Sequence, residues 1–149
     1  MIYQTIVFSP LLGALIAGFF GRVIGPRPSE LVTSAFMVLA AVLSWVAFWQ
    51  VGVGHATDKI TLMRWVTSGD LDVSWAIRVD TLTAVMLVVV NSVSALVHIY
   101  SIGYMRANSE PRQTVFYVCF AIALGSTIGI AFASNLFTLF LFYEALTIS

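Results

Sequence analysis

The feature that most constrains this chain is a series of long apolar runs that carry almost no charge. A bilayer core about 30 Å thick needs roughly 20 apolar helical residues to cross it. Because lipid offers no hydrogen bonds to the backbone, such runs have to be helical. The sequence therefore predicts an all-α polytopic membrane protein, folded as a single membrane domain over residues 1–149. We expect about five transmembrane helices, at about 3–21, 31–53, 81–104, 113–133 and 135–149.

Composition excludes most soluble functions. Of 149 residues, 60% are hydrophobic and 9% charged, whereas soluble domains carry about 25% charged residues. Seven basic and seven acidic residues cancel, which predicts no patch for nucleic acid. Cys119 stands alone, and we find no phosphate loop, nucleotide fingerprint, catalytic triad or metal-ligand cluster. We therefore expect no metal, cofactor or redox centre in this chain.

The two ends of the chain carry further expectations. The first basic residue is Arg22, so no positive region precedes the first apolar run, and we expect a retained anchor instead of a signal peptide. Residues 113–149 are too long for one span, and Ser134-Asn135 is the best break. The fifth helix then has only about 15 residues, roughly 22 Å at 1.5 Å per residue. We expect it to be the truncated end of a longer protein.

The loop between the second and third spans has a different period. Apolar residues alternate with polar ones from Asp70 to Val79, which is typical of a half-buried strand. A less regular candidate strand precedes it, and Ser68-Gly69-Asp70 supplies a turn. The pattern predicts a surface β-hairpin over 58–79 between helices 2 and 3, with Asp80 capping the third helix.

Basic residues give an orientation. We expect the first loop to turn at Gly25, Pro26 and Pro28 around Glu30, and the third to turn at Arg106–Arg112 through Asn108 and Pro111. These two loops hold four arginines close to the spans, and the hairpin loop holds three basic residues. Since basic residues favour the cytoplasmic side, we expect the N-terminus and hairpin on the outer side. The arginines are Arg22, Arg27, Arg106 and Arg112.

Glu144 is the sharpest candidate for function. It is the one residue of 113–149 that ionises at neutral pH, and its position predicts a site near the membrane midplane. A carboxylate there costs at least a few kcal/mol, so its neutral and charged forms become close in free energy, as a proton relay requires. No Lys or Arg is expected within a span, which leaves Glu144 without a cationic partner in this sequence. The alternative is a protonated side chain that only bonds a neighbouring helix.

Two further patterns lie on the third and fourth helices. A polar stripe on the third helix predicts either a water-lined proton path, in which His98 could titrate, or simple interhelical hydrogen bonding. The fourth helix has small residues at every fourth position, which predicts a helix-packing surface. The stripe is Thr83, Asn91, Ser94, His98 and Ser101, and the small residues are Ala121, Gly125, Gly129 and Ala133.

Several motifs bear a family resemblance. Residues 6–105 resemble the start of subunit L of bacterial NADH:quinone oxidoreductase (complex I), an antiporter-like proton-translocating subunit. The matching pieces are 8–13, 18–22, 65–82 and, most specifically, the run Val97-His98-Ile99-Tyr100-Ser101-Ile102-Gly103-Tyr104-Met105. The last third, with Asn135-Leu136-Phe137-Thr138-Leu139-Phe140 leading into Phe142-Tyr143-Glu144, is more similar to the related membrane subunit of Mrp-type cation/proton antiporters.

The resemblance implies a function for the chain. It would be the N-terminal part of a proton-translocating subunit in the bacterial inner membrane, with other membrane subunits as partners, and quinone reduction elsewhere would drive proton transfer. Glu144 matches a proton-pathway Glu that works with a Lys on helix seven of the family, which lies beyond this chain. The alternatives are Na⁺/H⁺ exchange in an Mrp-type assembly and a truncated structural piece that moves no ion.

Overall fold

The structure, a computed structural model, describes residues 2–54, 58–107 and 112–149. Four of the helices in these ranges are long and apolar enough to cross a membrane, and the fifth is a shorter apolar helix. This confirms the predicted helical membrane fold with a hairpin between helices 2 and 3. The elements are α1 (Ile2–Ile24), α2 (Pro26–Gly54), β1 (Asp58–Ser68), β2 (Leu71–Val79), α3 (Thr81–Ala107), α4 (Gln113–Ala131) and α5 (Leu136–Ile148).

The first predicted turn is confirmed at Gly25 and is wrong at Pro26, Pro28 and Glu30, which lie in helix α2. Helix α2 begins at Pro26, because proline suits the first position of a helix, where its missing N–H is not needed. Gly25 alone reverses the chain between α1 and α2, with a φ of +90° that glycine adopts without strain. Glu30 therefore lies inside α2. Part of the third predicted turn, which includes Asn108 and Pro111, lies outside the described residues.

The hairpin is antiparallel and irregular on its first strand. Register shifts occur between Thr61 and Met63 and between Arg64 and Val66, which explains why β1 lacks the clean alternation of β2. Gly69 has a φ of +58° in the turn. The position of the hairpin on the membrane surface stays a prediction.

Strand β2 is anchored in the helical core. Ile77 and Val79 are buried among side chains of all four long helices. The Arg78 amide donates to the Phe132 carbonyl at 3.0 Å, and Ile77 pairs with Ala133 in an isolated antiparallel bridge. That bridge explains why α4 ends at Ala131 and not at the predicted residue 133. The hairpin thereby fixes the connection between α4 and α5.

Two side chains cap the helices that start beside the hairpin. Asp80 Oδ1 accepts from the Thr83 amide at 2.8 Å, and Asn135 Oδ1 accepts from the Thr138 amide at 2.8 Å, both of which satisfy N-terminal amides. Asn135 Nδ2 also donates to the Ser74 carbonyl at 2.7 Å. The start of α5 is therefore tied to β2 as well as capped.

Candidate functional site

Glu144 is the ninth residue of α5. At 1.5 Å per residue it lies about 12 Å along the helix from Leu136. Glu144 is therefore about 12 Å away from the hairpin end of the bundle, measured along α5. The residue is partly buried. Within 2–54, 58–107 and 112–149 the Glu144 carboxyl has no hydrogen bond or ion pair.

The position of α5 is set by contacts with α4 and the hairpin. The Phe142 ring lies so close to Gly129 that a Cβ there would overlap it. The Phe142 and Trp75 rings are 6.0 Å apart, and Thr138 is buried. These contacts lie within one or two turns of Glu144, so they control its height and direction.

The small residues of α4 serve two neighbouring helices. A Cβ at Gly125 would come within 2.8 Å of the Leu11 side chain of α1, and Gly129 makes room for α5. Ala121 is also buried. Ala133 lies past the end of α4, in the bridge to the hairpin. These are close backbone approaches of the kind that small residues permit.

The polar stripe of α3 is buried along its whole length. At its centre, Asn91 Nδ2 donates to Ser44 Oγ of α2 at 2.5 Å, while Asn91 Oδ1 is buried without a partner among the described residues. Thr83 Oγ1 donates to the Ala131 carbonyl of α4 at 3.4 Å. Ser101 Oγ donates within its own helix, to the Val97 carbonyl. Helix α3 thus turns its polar face toward α2 and α4.

His98 is fully buried in this stripe. Its Nδ1 lies 3.2 Å from the Ser94 carbonyl, so Nδ1 carries the proton in the neutral ring and Nε2 is left as the acceptor. The ring stacks on Phe120, with centroids 4.3 Å apart, and lies 6.1 Å from the Tyr117 ring. In the described part of the chain, Nε2 has no hydrogen-bond partner.

Sequence reasoning missed an ion pair at the far end of the bundle. Glu30 is fully buried, and its Oε1 accepts from Arg106 Nε at 2.9 Å and from Arg106 Nη2. The expectation that no Lys or Arg lies within a span is wrong at this helix end, since Arg106 belongs to α3. Two features of the sequence point to the pair: Pro26 as a helix start, and opposite charges at ends that an antiparallel bundle brings together.

Asp80 is a charged group outside the spans. The Thr83 amide and hydroxyl, followed by Arg78 at 2.9 Å, hold the pKa of its carboxyl below the usual 3.8. Asp80 is therefore a structural cap at neutral pH. No group of three or more His, Cys, Asp or Glu side chains among the described residues is placed to hold a metal ion.

Comparison with known proteins bears on the whole chain. Residues 65–117 match the family model for the NADH-ubiquinone oxidoreductase (complex I) chain 5 N-terminus. The chain is 39% identical to NADH-ubiquinone oxidoreductase chain 5 of Trichophyton rubrum over 95% of its length. It is 38% identical to NADH-quinone oxidoreductase subunit L of Rhodobacter capsulatus over 97% of its length. In both cases it spans 21% of the relative.

The same fold occurs in a solved structure of an archaeal respiratory membrane complex, the membrane-bound sulfane sulfur reductase. One chain of that complex matches 99% of this chain with a TM-score of 0.76 at 18% identity, and 28% of that chain is covered. These comparisons confirm the resemblance to the N-terminal region of an antiporter-like complex I subunit. With four long apolar helices among its described residues, the chain is a multi-pass membrane protein.

Proposed function

We propose that this chain, which is similar to the N-terminal region of antiporter-like complex I subunits, works as part of a proton-translocating subunit. Quinone reduction elsewhere in the assembly would drive proton transfer through the Glu144 carboxyl. Support comes from the similarity to subunit L over nearly the whole chain and to chain 5. The chain spans about a fifth of the length of those relatives.

Glu144 is the observation that carries this proposal. It is an acidic residue within an apolar helix, about 12 Å from the helix start. An ionisable side chain within the hydrocarbon part of a membrane costs a few kcal/mol and usually marks a functional site. The Glu144 carboxyl has no cation beside it in the described residues. We infer that its partner is a Lys or Arg of the rest of the subunit or of a neighbour.

The proposal includes partners and orientation. Other membrane subunits of a respiratory complex would surround the bundle, in a bacterial inner membrane. The end of the bundle opposite the hairpin carries Arg27, Arg106 and Arg112 near the ends of α2, α3 and α4. Arginines in short loops favour the cytoplasmic side, so the N-terminus and hairpin would lie on the outer side.

The test is Glu144→Gln in membranes that carry the native assembly, with Glu144→Asp as the matched control. The Gln side chain keeps the size and hydrogen-bonding capacity of Glu but cannot carry a proton. We expect NADH-driven proton pumping to fall at least tenfold in the Gln variant and to survive in part in the Asp variant. Quinone reductase activity is followed in the same membranes, to separate loss of coupling from loss of assembly.

Unchanged pumping in the Gln variant would overturn the proposal. The motif from Asn135 to Glu144 favours Na⁺/H⁺ exchange as the second candidate, because it is similar to an Mrp-type antiporter subunit. A Na⁺-driven pH change in vesicles, lost in the same Gln variant and independent of NADH, would support that alternative. If the Gln variant changes neither proton pumping nor Na⁺-driven pH change, the remaining alternative is a structural piece that moves no ion.

A further inference from the structure

The end of the bundle opposite the hairpin contains a carboxylate sealed from solvent by one arginine. The Glu30 side chain is 1% exposed, whereas the Arg106 side chain is 50% exposed. Arg106 binds only Oε1, and Oε2 is buried without a partner among the described residues. A pair built only for stability would bond both oxygens, since an unpartnered carboxylate oxygen is costly to bury.

The neighbours of Glu30 are polar and under-bonded. Tyr117 of α4 is fully buried, and its hydroxyl has no partner in the described ranges. The charges of both Glu30 and Arg106 act on that hydroxyl, so the phenol lies within electrostatic range of the ion pair. One turn along α2 from Glu30, Ser34 Oγ is also buried and unpartnered. On the α1 side, Gly21 packs closely against Ser29 and Thr114, because a Cβ at position 21 would overlap the Thr114 methyl group.

Unpartnered groups continue from this end toward the membrane centre. The Tyr117 and His98 rings are 6.1 Å apart, and His98 Nε2 is a buried acceptor without a partner in the described chain. At 1.5 Å per residue along α3, His98 is about 12 Å from Arg106, and Asn91 is about 10 Å further. Asn91 is then about 15 Å from the start of α3, close to the height of Glu144 on α5. Buried polar atoms of this kind are normally satisfied by water.

We propose that Glu30 is a second proton-binding site, which loads protons from the Arg106 side and passes them through Tyr117 to His98. A proton from water beside Arg106 binds Oε2, and the guanidinium, having lost its counter-charge, turns to solvent. The proton then leaves Glu30 through water bonded to the Tyr117 hydroxyl and binds His98 Nε2. Glu30 regains its negative charge and re-forms the pair with Arg106. His98 then releases its proton to water bonded to Asn91 Oδ1 and returns to its neutral form, so one proton moves inward in each cycle.

This inference rests on the proposed proton-translocating function and adds an entry route to it. The competing role for the pair is a clip that holds α2 against α3. The double variant Glu30→Gln/Arg106→Gln separates the two roles, because it removes both charges together and keeps side chains that can hydrogen-bond. Neither amide can load a proton. If the pair only holds α2 against α3, the double variant should keep most of its pumping. If Glu30 binds protons, the double variant should lose pumping.

The experiment measures NADH-driven proton pumping per quinone reduced, in membranes carrying the native assembly with the double variant. Tyr117→Phe, which loses only the hydroxyl, is the second variant. We expect at least a threefold loss of pumping in the double variant, and in Tyr117→Phe a loss of at least twofold with a larger D₂O isotope effect. Wild-type pumping in either variant overturns the proposal, and if the double variant does not assemble, Tyr117→Phe decides.

Glu144→Gln is measured alongside. If only Glu144→Gln loses pumping, this inference fails alone, whereas wild-type pumping in Glu144→Gln refutes the proposed role of Glu144.

Discussion

A methyl group at Gly129 tests whether α5 is positioned by its contact with α4. A Cβ on Gly129 would overlap three ring carbons of Phe142, and the Phe142 ring also lies 6.0 Å from the Trp75 ring. Overpacking of this kind costs about 1–3 kcal/mol. Replacement of glycine by alanine in a helix itself gains about 1 kcal/mol, so Gly129→Ala alone gives a small net loss.

Gly103→Ala isolates the steric part of this loss. Gly103 is an exposed residue of α3 with nothing within 4 Å of the Cβ position. The Gly103→Ala variant therefore gains the helix propensity of alanine without a steric clash. The difference in unfolding free energy between the two variants is therefore expected to be about 1–3 kcal/mol. For a chain of this size it corresponds to a difference in Tm of about 2–12 °C.

The assay is thermal unfolding of the purified chain in lipid nanodiscs. Phe142→Ala is combined with Gly129→Ala, since removal of the ring leaves room for the methyl group. We expect the double variant to lose less stability than the sum of the single variants, by at least about 1 kcal/mol. Equal Tm values for Gly129→Ala and Gly103→Ala, or strict additivity with Phe142→Ala, would refute this account of how α5 is held.

The caps at the hairpin end give two further predictions. Asp80→Ala should lower stability by about 1 kcal/mol, and Asp80→Asn should lower it less, because Asn caps equally well but cannot pair with Arg78. Since the Thr83 amide holds the pKa of Asp80 below 3.8, the wild-type contribution is complete above that pH and is lost as the pH falls through the lower folded value. A Tm-against-pH curve with the same acid step in the Asn variant would contradict this. Asn135→Ala loses the bonds to Thr138 and Ser74 and should speed hydrogen exchange in the first turn of α5. Asn135→Asp keeps the cap and should lie between wild type and Ala, so exchange as fast as in Ala would count against the cap.

The sequence was sufficient to predict the features that follow from the lipid environment and from the spacing of apolar residues. An apolar run of about 20 residues in a bilayer has few options besides a helix, and the alternation from Asp70 to Val79 admits a strand. The capping roles of Asp80 and Asn135 could also be predicted, because short polar side chains before an apolar run satisfy the first amides of a helix. These features depend on neighbours along the chain.

The features that were missed depend on contacts between distant residues. The pair of Glu30 and Arg106 joins positions 76 residues apart, and charge alone assigned both residues to loops. The early end of α4 follows from the bridge between Ile77 and Ala133, which no pattern within α4 reveals. The packing face of α4 was visible as small residues, but the sequence did not show that Gly125 faces α1 and Gly129 faces α5.

The bonding of the buried polar atoms bears on the two accounts of the α3 stripe. If these groups served only to join helices, they would bond across the interfaces, as Asn91 does to Ser44 and Thr83 does to α4. In the described parts of α2, α3 and α4, six buried side chains instead have an unpartnered atom, and in the described part of α1 none does. Such atoms are costly unless water reaches them. Among the described residues six of the seven side chains of this kind lie on three neighbouring helices, and the seventh, Ser134, lies in the connection after α4. This clustering favours a hydrated path over scattered packing defects. The six are Glu30, Ser34, Asn91, His98, Tyr117 and Ser126.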